Sequence, residues 1–184
     1  AEFERPPEPE DESPNGPGGV ALQTWAPPAP PLTMPGTFPD EIEVQVRDMI
    51  DDARLVAVIE LVSPGNKDRD DARGGFAGKC AAYLQKGIGL IAADIVTTRH
   101  ANLHNELIRL LEADDKYLLA DDVYLYAVAY RPARRGAENL IDLWPVPLTV
   151  GGRLPLLPLA LRGAPAVPVD LEKTYTDARE RSRL

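Results

Sequence analysis

The sequence predicts an α/β (α+β) fold, with a central mixed β-sheet flanked by helices and extended by an antiparallel hairpin. Three observations carry that prediction. Residues 55–64 and 87–96 are apolar at both parities, which suits strands covered on both faces. Between them Phe76, Cys80, Tyr83 and Leu84 recur at helical spacing. Short joints then imply a right-handed crossover with the two strands parallel. Ahead of them residues 41–49 alternate, with Ile42, Val44 and Val46 on one side and Glu43, Gln45 and Arg47 on the other, the period of a strand.

Residues 1–40 form a separate, proline-rich, acidic and largely irregular segment, and residues 41–184 a single domain. The first 40 residues hold eleven of the 19 prolines. Such a composition buries too little apolar surface to offset its ordering entropy, so the first 18 or so residues are expected to be disordered. Residues 20–25 have the pattern of a short edge strand, and Pro27-Pro28-Ala29-Pro30-Pro31 that of a polyproline II spacer.

The net charge of −9 is unevenly spread. Six acids against one base give residues 1–20 a charge of −5, which leaves −4 for the rest. Neither part is a basic surface, so avid, sequence-independent nucleic-acid binding is not advertised. Cys80 is the only cysteine, which excludes an intrachain disulfide framework or a multi-cysteine zinc site and points to a reducing compartment. With no apolar run near 18 residues and no leader pattern, the sequence predicts a soluble, cytoplasmic protein without a membrane partner. The first residue is Ala, as in a fragment or a processed chain.

Within the domain, Asp51-Asp52 supplies turn chemistry for a hairpin. Pro64 ends the second strand, because proline cannot donate to a ladder. A helix is expected from about Asp70 or Phe76 to Lys86, with Gly87 as its C-cap. A second helix is expected over 101–112, on Leu103, Leu107, Leu110 and Leu111. Residues 121–130 read as a strand with a tyrosine-rich face, paired as a hairpin with 140–150. Arg131, Arg134 and Arg135 form a basic spot in the intervening loop. Gly151-Gly152 makes a turn, 154–161 is an extended segment confined by its prolines to an edge, and 170–183 is a terminal helix capped by Asp170.

Candidate site residues follow from charge in the wrong place. Glu60 is the one carboxylate in an otherwise apolar strand, a costly position unless it meets a cation, a metal or several donors. If residues 51 and 52 form the hairpin loop, facing residues sum to 103 and Glu43 lies opposite Glu60, with Cβ atoms about 5 Å apart. A divalent cation between them would turn that repulsion into attraction. The alternative is a register shifted by one or two residues, with Glu43 in solvent. Lys79, one turn from both Phe76 and Tyr83, either snorkels outward or delivers its ammonium to the sheet. Asp94 is again a lone carboxylate in an apolar strand, suited to the same polar cluster or, preferentially, to donors in the loop that follows. His100 and His104 are four apart, as metal pairs are, yet Asn102 and Asn105 beside them favour a hydrogen-bonded helix start. There is no phosphate-cradling glycine loop and no nucleophile elbow.

The run Val58-Ile59-Glu60-Leu61-Val62-Ser63-Pro64-Gly65-Asn66-Lys67, with Lys79, Tyr83-Leu84 and the strand holding Asp94, resembles an uncharacterised bacterial family. That family is a domain of unknown function marked by an I-E-x-L-S-P-x-N-K signature and placed in the PD-(D/E)XK restriction-endonuclease-like superfamily. The resemblance covers about residues 41–170. It implies a restriction-endonuclease-like core and a Mg²⁺-dependent phosphodiesterase acting on nucleic acid. Glu43, Glu60 and Asp94 would be the metal ligands, and Glu60 and Lys79 the catalytic pair. Two features depart from the pattern. The position two after Glu60 is Val62 rather than lysine, and a Pro-Asp strand is missing. Pro39-Asp40 is a poor substitute, which leaves either Glu43 in that role or an incomplete site. The alternative reading is a catalytically inactive binding or structural domain of the same fold, with Glu60 and Lys79 as a buried ion pair.

Overall fold

The computed structural model describes residues 42–49 and 53–182. The chain divides into two units, 1–37 and 38–184, and every described residue belongs to the second. The expectations for the first 18 residues, for 20–25 and 27–31, for Pro39-Asp40 and for the Asp51-Asp52 turn lie outside the described residues. No described helix is long and apolar enough to cross a membrane.

The predicted class is found: a five-stranded mixed sheet, a separate two-stranded antiparallel sheet and three α-helices. The large sheet runs β1 (Ile42–Asp48), β2 (Arg54–Leu61), β3 (Gly89–Asp94), β4 (Tyr126–Arg135) and β5 (Glu138–Pro147), neighbours in that order. Only β2 and β3 are parallel, and helix α1 (Asp70–Gln85) makes the crossover between them. Helix α1 ends as expected at Gly87, which sits at φ +72°. Its N–H bonds the Leu84 carbonyl at 2.9 Å while that of Ile88 bonds Tyr83 at 3.0 Å, the paired bonds of a Schellman motif.

Side chains alternate across the strands, so each parity builds its own core. Val58, Val62, Leu90, Ala92, Tyr126, Val128 and Tyr130 pack with Phe76, Cys80 and Leu84 of α1 and with Leu103 and Leu107 of helix α2 (Leu103–Leu110). The opposite parity, Ala57, Ile91, Ala93, Ala127 and Ala129, packs against Leu157 and Leu159. Those leucines belong to β6 (Leu156–Leu161), which pairs with β7 (Ala164–Asp170). Helices α1 and α2 therefore cover one face, and this hairpin covers the other. The approach is close: a Cβ on Gly89 would lie 2.0 Å from the Ala160 carbonyl oxygen, so only glycine fits there.

Several boundaries differ from the sequence reading for identifiable reasons. Strand β4 starts at Tyr126 rather than 121, because backbone acceptors just upstream are taken by side chains. Asn102 Nδ2 donates to the Val123 carbonyl at 2.7 Å, and Lys67 Nζ to that of Tyr124 at 3.2 Å. At its other end β4 runs on through the basic spot, so Arg131 and Arg135 are strand residues that both bond Asp142 of β5. Strand β7 was not expected at all. Its Pro168 stands opposite Pro158 of β6, a pairing that suits a ladder position where neither nitrogen has to donate. Helix α3 (Leu171–Arg181) has the predicted cap, Asp170, whose side chain accepts from the Lys173 N–H at 2.9 Å.

Candidate functional site

Strands β1 and β2 pair with Glu43 opposite Glu60, in the sum-of-103 register, from Ile42–Leu61 to Val46–Ala57. A bulge between Val46 and Arg47 then shifts the remaining pairs to Arg47–Leu55 and Asp48–Arg54. The two carboxylates stand on the helix-covered parity. Helix α1 lies above them and aims two donors downward from positions four apart, Lys79 and Tyr83, which share one face of the helix.

Lys79 Nζ is 3.0 Å from Glu60 Oε2 and 3.8 Å from Glu43 Oε2. The Tyr83 hydroxyl donates to Glu43 Oε2 at 2.9 Å, and the Gln45 amide donates to Glu43 Oε1. Glu60 is 2% exposed, whereas the side chains of Glu43 and Lys79 are 19% and 27% exposed, so the cluster opens to solvent on its β1 side. Glu60 Oε1 is buried and has no hydrogen-bond partner among the described residues.

The two carboxyls are electrostatically unlike. Burial, reinforced by the adjoining Glu43 carboxyl, raises Glu60 to about 7 against the pull of Lys79. Burial also pushes Glu43 upward, but its hydrogen bonds and the Lys79 charge prevail and hold it below the usual carboxylate range. Burial and the bond to Glu43 push the Tyr83 phenol upward, so it stays a donor.

Asp94 does not join this cluster. Glu60 pairs with Ala92, so Asp94 lies two residues farther along the same face, about 7 Å on. There its Oδ2 meets Lys67 Nζ at 2.8 Å, with both side chains fully buried. Its Oδ1 accepts the Val96 N–H at 3.1 Å, the loop role that its position predicted. Burial raises Asp94, opposed by Lys67, the Val96 N–H and the Tyr126 hydroxyl. Of the three expected metal ligands, the fold brings Glu43 and Glu60 together and sets Asp94 apart against Lys67, and no group of three or more His, Cys, Asp or Glu side chains that could hold a metal occurs among the described residues.

Lys67 is the residue the sequence reading passed over, and a signal for it existed. A parallel crossover brings the loop after β2 and the end of β3 to the same edge of the sheet. A lysine six residues past Leu61 could therefore be matched to a lone aspartate closing β3. Ser63 organises that loop: its N–H bonds Asn66 Oδ1 at 2.9 Å, and its hydroxyl caps the Pro64–Lys67 turn.

The histidines form no metal pair. His104 is buried, with Nδ1 2.8 Å from the Tyr130 hydroxyl and Nε2 2.8 Å from the Tyr117 carbonyl. His100 lies before the helix and stacks on Tyr124 at 4.4 Å. The helix starts on hydrogen bonds, Asn102 Oδ1 accepting from the Asn105 N–H at 3.0 Å.

Comparison with protein-family models, with curated proteins and with solved structures found no match.

Proposed function

We propose that the Glu43–Glu60–Lys79 cluster is the centre of a Mg²⁺-dependent phosphodiesterase acting on nucleic acid. The observation that carries this reading is the pairing of two carboxylates directly opposite one another beneath a lysine, at a place where the sheet edge meets solvent. Like charges so placed destabilise a hairpin unless something positive outweighs them. The donor set suits a hard cation, which takes oxygen ligands and is commonly held by one or two carboxylates with water and phosphate completing its shell. Glu43 and Glu60 would hold it, and Glu60 Oε1 has no hydrogen-bond partner among the described residues. Once bound, the ion would polarise the phosphate and lower the pKa of a water ligand.

The chain's own groups do the rest. Lys79, partly exposed at the mouth of the cluster, orients the phosphate by charge. Glu43, held ionised by its donors, keeps negative charge on the open side. Purified protein is expected to cleave DNA with Mg²⁺ or Mn²⁺, and to lose that activity in Glu60→Ala and Lys79→Ala while circular dichroism shows the fold retained. Absence of cleavage across both metals and across single- and double-stranded DNA and RNA would overturn the reading.

One observation favours a second reading, a binding or structural domain without catalysis. The Lys79 ammonium already lies within 4 Å of both carboxylates, where a metal would otherwise balance them. In that case divalent ions leave the melting temperature unchanged.

A further inference from the structure

We propose that Tyr83 is a positioning residue of this cluster, whose phenol turns the Glu43 carboxylate inward so that it shares a cation with Glu60. The proposal rests on the phosphodiesterase reading above and adds a residue to it. Glu43 belongs to β1, the outermost strand among the described residues, and its side chain is partly exposed. Repulsion from Glu60 alone would swing it outward into water. Two donors prevent this, one on each oxygen.

From the strand, Gln45 Nε2 donates to Oε1. Arg47 fixes which end of that amide faces Glu43, because its Nη2 donates to Gln45 Oε1 at 2.6 Å while its Nη1 bonds the Ala53 carbonyl at 3.0 Å. From the helix, Tyr83 donates to Oε2, the oxygen that faces Lys79. The strand arm runs along the edge of the sheet, so it cannot pull the carboxylate toward α1. The phenol does that by hydrogen bond, alongside the Lys79 ammonium 3.8 Å away, and it joins the outer strand to the helical turn next to the one that supplies Lys79. Groups that orient a metal-binding carboxylate without touching the ion typically change its affinity by about 10–100-fold.

The test measures Mn²⁺ binding to the full chain from the electron paramagnetic resonance signal of free Mn²⁺. The wild-type chain is expected to bind Mn²⁺, Glu60→Ala to lose it, and Tyr83→Phe to bind about tenfold more weakly. A purely structural role would lower the metal-free melting temperature of Tyr83→Phe and leave its Mn²⁺ dissociation constant unchanged, and that result overturns the proposal while sparing the phosphodiesterase reading. A wild-type chain that binds no Mn²⁺ overturns both. If Tyr83→Phe does not fold, 3-fluorotyrosine at position 83 replaces it. Its ¹⁹F resonance is expected to move on adding Mg²⁺, and a resonance that stays put overturns the proposal.

Discussion

Two carboxylate–lysine sites sit on the same face of one sheet, yet they are built to opposite specifications. Asp94 and Lys67 are matched one to one, both fully buried, with the other Asp94 oxygen accepting the Val96 N–H and the ammonium also donating to the Tyr124 carbonyl. Glu43 and Glu60 share one lysine, and Glu43 and that lysine lie partly open to water. The first arrangement is closed to solvent and ties three stretches of chain together. The second is short of positive charge and accessible, as a binding centre has to be. An acid in an apolar strand is therefore not evidence of function until its partners have been counted.

The sharpest way to break the contrast is to remove one member of the closed pair. Lys67→Met leaves an uncompensated buried carboxylate and is expected to cost about 3–5 kcal/mol in urea unfolding. The double variant Lys67→Met/Asp94→Leu should recover most of that loss. Should Lys67→Met prove harmless, the pair is not the tie described here.

The next effect is a pH slope belonging to the open site. Folding raises Glu60 from 4.5 to about 7, so between those values the folded chain binds the extra proton. Stability is then greatest at the acid end of that window and declines as pH rises through it, by roughly 3 kcal/mol at most. Glu60→Gln should remove that contribution, which comparison of unfolding curves at pH 5 and pH 7.5 would show.

Saturating Mg²⁺ should stabilise the chain through the open site alone, by about 2.7 kcal/mol at one hundred times its dissociation constant. Calorimetry should find that shift retained in Asp94→Asn, wherever that variant folds, and absent in Glu43→Gln. The smallest change expected is in the metal-free stability of Glu43→Gln. It removes a like-charge contact and weakens a partly exposed ion pair, two opposing terms that leave less than about 1 kcal/mol.

Much of this architecture was legible in the sequence, because hydrophobic period and punctuation report it directly. The all-apolar runs marked β2 and β3, the alternation of 42–48 marked β1, and the summed register placed Glu43 against Glu60 despite the bulge that follows. The Lys79–Glu60 contact was legible too, since a crossover helix must face the strand it leaves. What escaped depended on groups distant in sequence. Nothing local in the sequence says that the Pro64–Lys67 turn, and Lys67 with it, is buried. Strand β7 was hidden by its prolines, and the late start of β4 by side chains of α2 and the 64–67 turn that occupy its backbone. Tyr83 was read as a core aromatic, and its hydroxyl has meaning only once Glu43 is known to lie beneath it.

Among the described residues strand β1 is laddered on one side only, and it carries half of the acid pair. Peeling that ribbon away would separate Glu43 from Glu60 and dismantle the centre while β2 to β5 stay zipped between their two coverings. The domain can thus lose its acid pair long before it surrenders its shape, and amide exchange along 42–48 should run ahead of exchange along β3.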